Sequence, residues 1–262
     1  MRLLTLVAAF LVAVPAATAA APTHTPGELV VALSLPAPGF QVGSVRGSEV
    51  TYARGFEVEL ARSLARRLGV RRVRFVQVAD TARLVAPGPK GWDIALSRIV
   101  PTPARARSVE LVGPYLLADQ AVLLRRGIPR PRSLADLRGL QLCALRDSRG
   151  ADVVASRVRP VSRDLLAAGV TDLQRWVRTG RCDAAVLEAP VLGTLAARAP
   201  EGFGPVAGRI ETGVAYSVAL PKGSSLVADV ERAVRALRAT GVLARLARDW
   251  FGLDPSRLPV LR

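Results

Sequence analysis

The chain has 262 residues, of which 50% are hydrophobic, 22% are charged and 5% are aromatic, and its formal net charge is +16. The apolar fraction is large enough for a folded core, which excludes a disordered chain, and the length fits one large domain or two modest ones. A sequence pI near 11.5 is typical of nucleic-acid-binding proteins. The N-terminal residues point elsewhere.

The first twenty residues have the order of a secretory signal peptide. Arg2 precedes an apolar run over 3–14, and Pro15 and a series of small residues follow it. About 20 apolar residues are needed to span a bilayer, so this run is too short. We therefore expect residues 1–20 to be removed on export to the periplasm, which takes away Arg2 and lowers the charge by one to +15. No cysteine lies directly after the signal, so we expect no lipid anchor. Because the protein is expected to be exported, we expect no nucleic-acid partner.

The two cysteines are Cys143 and Cys182. In an oxidising compartment an even count permits one disulfide, which the loop entropy would make worth roughly 4 kcal/mol. Two buried thiols acting as small hydrophobic side chains are the alternative. The predicted export favours the disulfide.

Apolar runs rich in Val, Ile and Leu alternate with segments of helical period along the chain. A strand is predicted at 28–33 and a helix at 55–68, where apolar residues recur every fourth position. Further strands are predicted at 73–78, 93–97, 121–124, 140–145, 183–187 and 214–220. Further helices are predicted from Ser133, after Ser148, and at 172–179, 190–199, 226–239 and 242–251. Strands separated by helices indicate βαβ units and an α/β fold with parallel sheet.

A series of motifs extends along nearly the whole mature chain. They are GFEVELA at 55–61 with RLGV at 67–70, Asp93-Ile94 followed by Thr102-Pro103-Ala104-Arg105, VELVGPY at 109–115, SLADLRG at 133–139, GRCDAAV at 180–186, and GVLA at 241–244 with DWFG at 249–252. In this order and spacing, the set resembles the type-3 periplasmic solute-binding proteins, the amino-acid receptors of ABC importers.

The resemblance implies a two-lobed periplasmic-binding-protein fold of type II, an α/β architecture whose lobes are joined by two crossover strands. By similarity, lobe one comprises residues 27–116 plus 212–262, and lobe two comprises residues 117–211. The lobes of such proteins close over a ligand by a hinge. We expect a monomer.

The resemblance also implies which residues hold the ligand. Arg105 matches the family's carboxylate-binding arginine, whose planar donors suit a bidentate pair. Glu188 occupies the position of the family's ammonium-binding carboxylate, where most relatives carry Asp. Arg146 and Gly150 lie in a turn that enters a lobe-two helix, and backbone N–H groups at such a helix start favour an anion. Each of these residues also has a simpler interpretation. Arg105 is then a solvated surface arginine, Glu188 is a solvated carboxylate at the end of a strand, and the turn at 146–150 only begins a helix that Ser148 caps.

Several positions depart from the family pattern. Relatives usually sandwich the ligand between two aromatic side chains, and the spacing puts Ala37 and Asp80 at those places. Val100 lies where relatives often carry a threonine or serine hydroxyl. Arg98 replaces a small residue whose backbone commonly contacts the ligand ammonium in relatives. We count Arg98, Asp80 and Ser34, in the first loop, among the candidate ligand contacts.

Two explanations of these departures remain open. The ligand is unusual and more anionic than an ordinary amino acid, or Asp80 and Glu188 pair with Arg98 and reshape the pocket.

The sequence predicts a receptor that captures a small carboxylate-bearing solute, most simply an amino acid, and delivers it to the permease of an ABC importer. We expect no cofactor, no metal and no catalytic residue, because His24, the only histidine, lies just after the cleavage site. Two other classes are considered. One is a sensory or accessory binding protein with a non-standard ligand, and the other is a dehydratase on the same fold that uses Glu188 or Asp80 as an acid. Lytic transglycosylases that carry such a domain need a catalytic module as well, for which we expect no room in this chain.

Overall fold

The computed structural model describes residues 21–262, and the predicted signal peptide lies outside the described residues. The strands of this part of the chain form two separate sheets. In chain order they are β1 (Glu28–Leu33), β2 (Val42–Arg46), β3 (Glu49–Arg54), β4 (Arg72–Gln77), β5 (Ile94–Ala95), β6 (Val109–Leu117), β7 (Gln120–Leu124), β8 (Leu142–Leu145), β9 (Leu165–Ala167), β10 (Ala184–Glu188), β11 (Val206–Ile210) and β12 (Ala215–Pro221).

The α-helices alternate with these strands. They are α1 (Phe56–Arg67), α2 (Thr81–Leu84), α3 (Pro103–Ala106), α4 (Arg149–Val153), α5 (Val170–Thr179), α6 (Ala189–Arg198), α7 (Val227–Ala239) and α8 (Val242–Phe251). The helices predicted from their apolar period are confirmed to within about two residues at each end, which is the usual uncertainty of helix boundaries.

The prediction of a helix that begins at Ser133 is wrong. Only a short 3₁₀ turn forms, at Ala135–Leu137. The Asp136 carboxylate accepts hydrogen bonds from the N–H groups of Arg132 and Ser133, while the Ser133 hydroxyl accepts from the N–H of Asp136. These reciprocal bonds close a turn, and the exposed Gly139 follows two residues after it ends.

The first sheet has the order β2-β3-β4-β1-β5-β12-β6, and we call it with its helices lobe one. In it β1 runs parallel to β4 and β5, while β12 is antiparallel to β5 and β6. Its main core contains an aromatic cluster, in which the Phe251 ring lies 4.8 Å from Phe40 and 5.0 Å from Phe56 between ring centroids. Tyr115 and Tyr216 complete this cluster beside the crossovers between the lobes.

The second sheet has the order β11-β7-β10-β8-β9, and we call it with its helices lobe two. Aliphatic clusters cover both of its faces, one around Leu173 and Leu187 and the other around Val122 and Val186. In the first cluster a disulfide joins Cys143 and Cys182, whose Cα atoms are 6.0 Å apart. The fold is therefore the two-lobed α/β architecture that the motifs imply.

The chain crosses between the lobes after β6 and again before β12. The buried Asp119 carboxylate ties these two crossovers together, because it accepts hydrogen bonds from the N–H groups of Thr212 and Gly213 at 2.8 and 3.0 Å. The same carboxylate pairs with Arg209 at 2.7 Å. The relative position of the two connections is thus fixed at the hinge.

The last residues of the chain return to lobe two. Val260 forms a parallel bridge with Arg209, the Leu134 N–H donates to the Arg262 carbonyl, and Leu261 is only 1% exposed within the lobe-two core. A Cβ on Gly208 would lie 2.9 Å from the Leu261 side chain, so the glycine makes room for this contact. The predicted boundary places these residues in lobe one, but their contacts are with lobe two.

Candidate functional site

The candidate ligand residues lie at one kind of place in both sheets, the edge where the parallel strands end. Ser34 follows β1, Asp80 follows β4 and Arg98 follows β5, whereas in lobe two Arg146 follows β8 and Glu188 ends β10. In open α/β sheets, ligands bind outside the carboxyl ends of the strands. The arrangement therefore favours a site at these two edges.

Arg105 is positioned by the short helix α3. Thr102 caps this helix by accepting the Arg105 N–H at 3.2 Å, and Nη1 of Arg105 donates to the Val100 carbonyl at 2.7 Å. The side chain is half-buried and forms no ion pair with any carboxylate of residues 21–262. A guanidinium has five N–H donors, so its orientation is fixed by one bond while others remain for a carboxylate.

Arg98 has an unusual backbone. Its φ is 52°, in the left-handed region that side chains rarely adopt. Its N–H donates to Glu57 Oε1 at 2.7 Å, and its exposed guanidinium lies 5.6 Å from the centre of the Phe40 ring. In the described part of the chain no carboxylate pairs with it, so the alternative in which Asp80 or Glu188 pairs with Arg98 is not observed in this conformation.

Glu57 is a buried acid that the sequence analysis recorded only as part of a motif. It is fully buried and accepts hydrogen bonds from the Tyr115 hydroxyl and the Arg98 N–H. Burial raises the pKa of Glu57, against the opposing effects of the two hydrogen bonds and the Arg98 charge. Its spacing from Leu60, Ala61 and Leu64 places it on the buried face of α1, and that spacing could have identified it.

Glu188 ends β10, where it is half-buried and pairs in register with Gln120 of β7. Burial raises the pKa of the Tyr216 hydroxyl; the Glu188 charge adds to that rise and the Arg98 charge opposes it. A carboxylate of lobe two and a guanidinium of lobe one therefore act on one buried hydroxyl at the second crossover. Glu188 belongs to β10 of lobe two, whereas Arg98 follows β5 of lobe one.

The turn before α4 forms the lobe-two side. Arg146 is exposed, and the Ser148 hydroxyl caps α4 by accepting the Ala151 N–H at 3.2 Å. A Cβ on Gly150 would lie 2.5 Å from the Val186 carbonyl, so the close packing of α4 on β10 requires glycine there. Contact of Arg146 and Gly150 with a ligand remains a prediction.

Ala37 and Asp80, at the positions where relatives carry aromatic side chains, have structural roles here. Ala37 is buried, and its N–H and carbonyl bond with Gln41 to shape the first loop. Asp80 is exposed and caps α2 by accepting the Arg83 N–H at 2.8 Å, while the Ser34 hydroxyl donates to the Ala79 carbonyl at 3.4 Å. Ser34 and Asp80 thus lie beside each other at this edge of lobe one.

Gln120 was not singled out by the sequence analysis. Its side chain is fully buried, and neither its Oε1 nor its Nε2 has a hydrogen-bond partner in the described structure. A Cβ on Gly150 would be 3.1 Å from its Oε1, which places the amide beneath the start of α4 and beside Glu188. A buried amide without partners is uncommon in proteins.

The model of one protein family matches residues 30–253, namely "Bacterial extracellular solute-binding proteins, family 3". The chain belongs to this family. Among curated relatives, the arginine-binding extracellular protein ArtP of Bacillus subtilis is 29% identical over 75% of this chain and 77% of its own length. Membrane-bound lytic murein transglycosylase F of Aeromonas salmonicida is 30% identical over 81% of this chain, which spans only 44% of that relative's length.

The fold is also that of solved receptors. The unliganded open form of the L-cystine solute receptor of Neisseria gonorrhoeae superimposes with a TM-score of 0.74 at 18% identity, over 87% of this chain and 94% of the receptor. At this identity the likeness establishes the fold and leaves the ligand undefined.

Within residues 21–262, no group of three or more His, Cys, Asp and Glu side chains is arranged to hold a metal ion. No helix in that range combines the length and the apolar character needed to span a bilayer.

Proposed function

We propose that this protein is an exported receptor that captures a small amino-acid-like solute by its carboxylate and delivers it to an ABC importer. The observation that carries the proposal is the fixed guanidinium of Arg105 at the carboxyl edge of lobe one. In a family of extracellular solute-binding proteins, a half-buried arginine without a carboxylate partner is suited to bind a ligand carboxylate bidentately.

The opposite charge comes from the other lobe. The carboxylate of Glu188, at the end of β10, is available for the ligand ammonium. When the hinge closes and water leaves the cleft, both charge pairs strengthen because the local dielectric falls. Ligand binding then draws the two lobes together, and a closed form is what a membrane partner would recognise.

The first experiment measures calorimetric binding of the twenty standard amino acids to the mature protein. We expect heat from at least one of them. No heat from any member of the panel would reject the amino-acid receptor.

The second experiment tests the residue. Arg105→Ala is expected to weaken binding of the ligand found by about a hundredfold or more, because a charge-assisted bidentate contact is lost. Arg107→Ala, two residues further along in an exposed position, removes the same charge and is expected to leave affinity unchanged. Equal affinities for the two variants would remove Arg105 from the site.

An accessory or sensory role is the second candidate. It is favoured by Ala37 and Asp80 at the positions where relatives carry aromatic side chains, and by the similarity to transglycosylases of which this chain spans less than half. Uptake of the radiolabelled ligand by cells with and without the gene separates the roles, since only an importer receptor is needed for uptake.

In this proposal the protein binds its ligand and catalyses no reaction on it. Incubation of the protein with prephenate or arogenate is expected to give no product. Turnover of either compound would reject the receptor function and show that the protein is a dehydratase on the same fold.

A further inference from the structure

The guanidinium of Arg98 is a positioned cation at the proposed cleft. We infer that the ligand carries a second anionic group, which Arg98 binds, and that the ligand is therefore an amino dicarboxylate. This inference rests on the proposed function and narrows its substrate class.

The position of Arg98 is imposed by its surroundings. A left-handed backbone at a residue with a side chain persists only where neighbouring contacts hold it. Here the buried Glu57 fixes the N–H of Arg98, and the Phe40 ring, itself 1% exposed, lies under the guanidinium at 5.6 Å. The charged group is thus held at the end of β5 by both its backbone and its side chain.

Within residues 21–262, neither Glu57 nor Asp80 forms an ion pair with the Arg98 guanidinium. Oε1 of Glu57 accepts from the Arg98 N–H and the Tyr115 hydroxyl, and Asp80 caps α2. No carboxylate within residues 21–262 lies within 4.0 Å of the Arg98 guanidinium. Its guanidinium faces solvent and the Phe40 ring and has no ion-pair partner in the described part of the chain.

Closure of the cleft makes this charge decisive. A neutral zwitterionic amino acid uses Arg105 for its carboxylate and Glu188 for its ammonium, which leaves the cation of Arg98 without a partner as water is expelled. Removing water from an unpaired charge is unfavourable. A ligand with a second carboxylate supplies the missing anion, and the exposed Arg146 across the cleft adds to the same positive field.

The test compares two ligands of nearly equal shape. Calorimetry with L-glutamate and L-glutamine, together with L-arginine, is carried out on the wild type and on Arg98→Gln. In the wild type we expect L-glutamate to bind at least about tenfold more tightly than L-glutamine, as for a hydrogen bond to a charged group. In Arg98→Gln we expect that ratio to fall to near one.

Two variants make the result specific. Arg71→Gln removes one exposed charge from the same lobe and is expected to keep the wild-type ratio, which separates a local contact from the net charge. Arg98→Gly suits the left-handed backbone and keeps the N–H bonded to Glu57, so it replaces Arg98→Gln if that variant does not fold.

The outcomes separate the inference from the function on which it rests. Binding of L-glutamine or L-arginine as tight as that of L-glutamate overturns the inference and keeps the receptor. A preference for L-glutamate that survives in both Arg98 variants assigns the second anion to another residue and overturns it as well. Absence of binding by every amino acid rejects the receptor itself.

Discussion

The two lobes build similar α/β layers from different side chains. Lobe one packs Phe40, Phe56 and Phe251 with two tyrosines into a cluster beside the hinge, and one of these tyrosines, Tyr115, donates its hydroxyl to the buried acid Glu57. Lobe two packs mainly aliphatic residues on both faces of a smaller sheet and adds a disulfide. Aromatic packing thus stabilises the core of lobe one, and a covalent link stabilises the core of lobe two.

The two lobes are therefore vulnerable to different changes. A lobe that depends on a few large rings is sensitive to loss of one ring, whereas a lobe with a covalent link is sensitive to reduction. The three tryptophans permit a separate measurement, because Trp92 and Trp250 belong to lobe one and Trp176 belongs to lobe two. Urea unfolding of variants that retain only one group of tryptophans reports on one lobe at a time.

The largest expected effect is that of Phe56→Ala. Phe56 is fully buried, and its loss leaves a cavity in the aromatic cluster, so we expect a loss of about 3–5 kcal/mol in the free energy of unfolding. The fluorescence of Trp92 and Trp250 measures it. Phe203→Ala in lobe two is the matched control and should act on the Trp176 transition instead. A loss below about 1 kcal/mol for Phe56→Ala would show that the aromatic cluster is not what stabilises lobe one.

Removal of the disulfide is the next largest change. Replacing both Cys143 and Cys182 by alanine opens a loop that joins residues 39 apart in sequence, and we expect lobe two to lose about 2–4 kcal/mol. The Trp176 transition should move to lower urea, and the transition of Trp92 and Trp250 should stay. Equal shifts of the two transitions would mean that the lobes unfold as one unit.

The third prediction concerns the acid of lobe one. Burial raises the pKa of Glu57, so the folded protein holds this proton more tightly than the unfolded chain does. The resulting stability is complete below the unfolded pKa and is lost as the pH rises through the folded pKa.

Glu57→Gln keeps an oxygen for Tyr115 and Arg98 but does not titrate. We expect its free energy of unfolding, measured in urea from pH 4 upwards, to lack this decline. Glu59→Gln, in the same helix but only half-buried, is expected to keep the wild-type pH dependence. A wild-type decline in Glu57→Gln would place its origin in another group.

The smallest effect compares a buried glutamine from each lobe. In lobe two the amide of Gln120 has no hydrogen-bond partner among residues 21–262, so Gln120→Leu should leave stability unchanged or raise it by up to about 1 kcal/mol. In lobe one Nε2 of Gln41 donates to the Ser34 carbonyl and the Ser97 hydroxyl, so Gln41→Leu should lower stability by about 1–3 kcal/mol. Denaturant midpoints decide both. Similar losses in the two variants would show that Gln120 has a partner, such as a buried water.

The helices and central strands could be predicted from the sequence because their apolar residues follow a clear period. The hairpin of β2 and β3 was missed, since most of its residues are exposed and no apolar run marks it. The strand predicted at 93–97 is reduced to Ile94–Ala95. The Asp93 side chain beside it accepts the backbone N–H groups of His24 and Val30, a role that the apolar pattern does not indicate.

For the site, the resemblance directed attention to residues that lie at the ends of the parallel strands. It could not show what each side chain contacts there, because those partners are distant in sequence. Asp80 caps a helix, Gly150 is needed for packing, and Glu57 bonds to a tyrosine 58 residues away. The burial of Gln120 likewise depends on three strands that the chain forms at different places.

The return of the last residues to lobe two changes the topology of the hinge. The described chain crosses between the lobes three times, after β6, before β12 and after α8, and an odd number of crossings leaves its two ends on opposite lobes. Ala21 donates its N–H to Leu68 in lobe one, and the carbonyl of Arg262 is bound in lobe two. Fluorophores attached near these ends would therefore report the distance between the lobes, because the energy transfer between them changes as the cleft opens and closes.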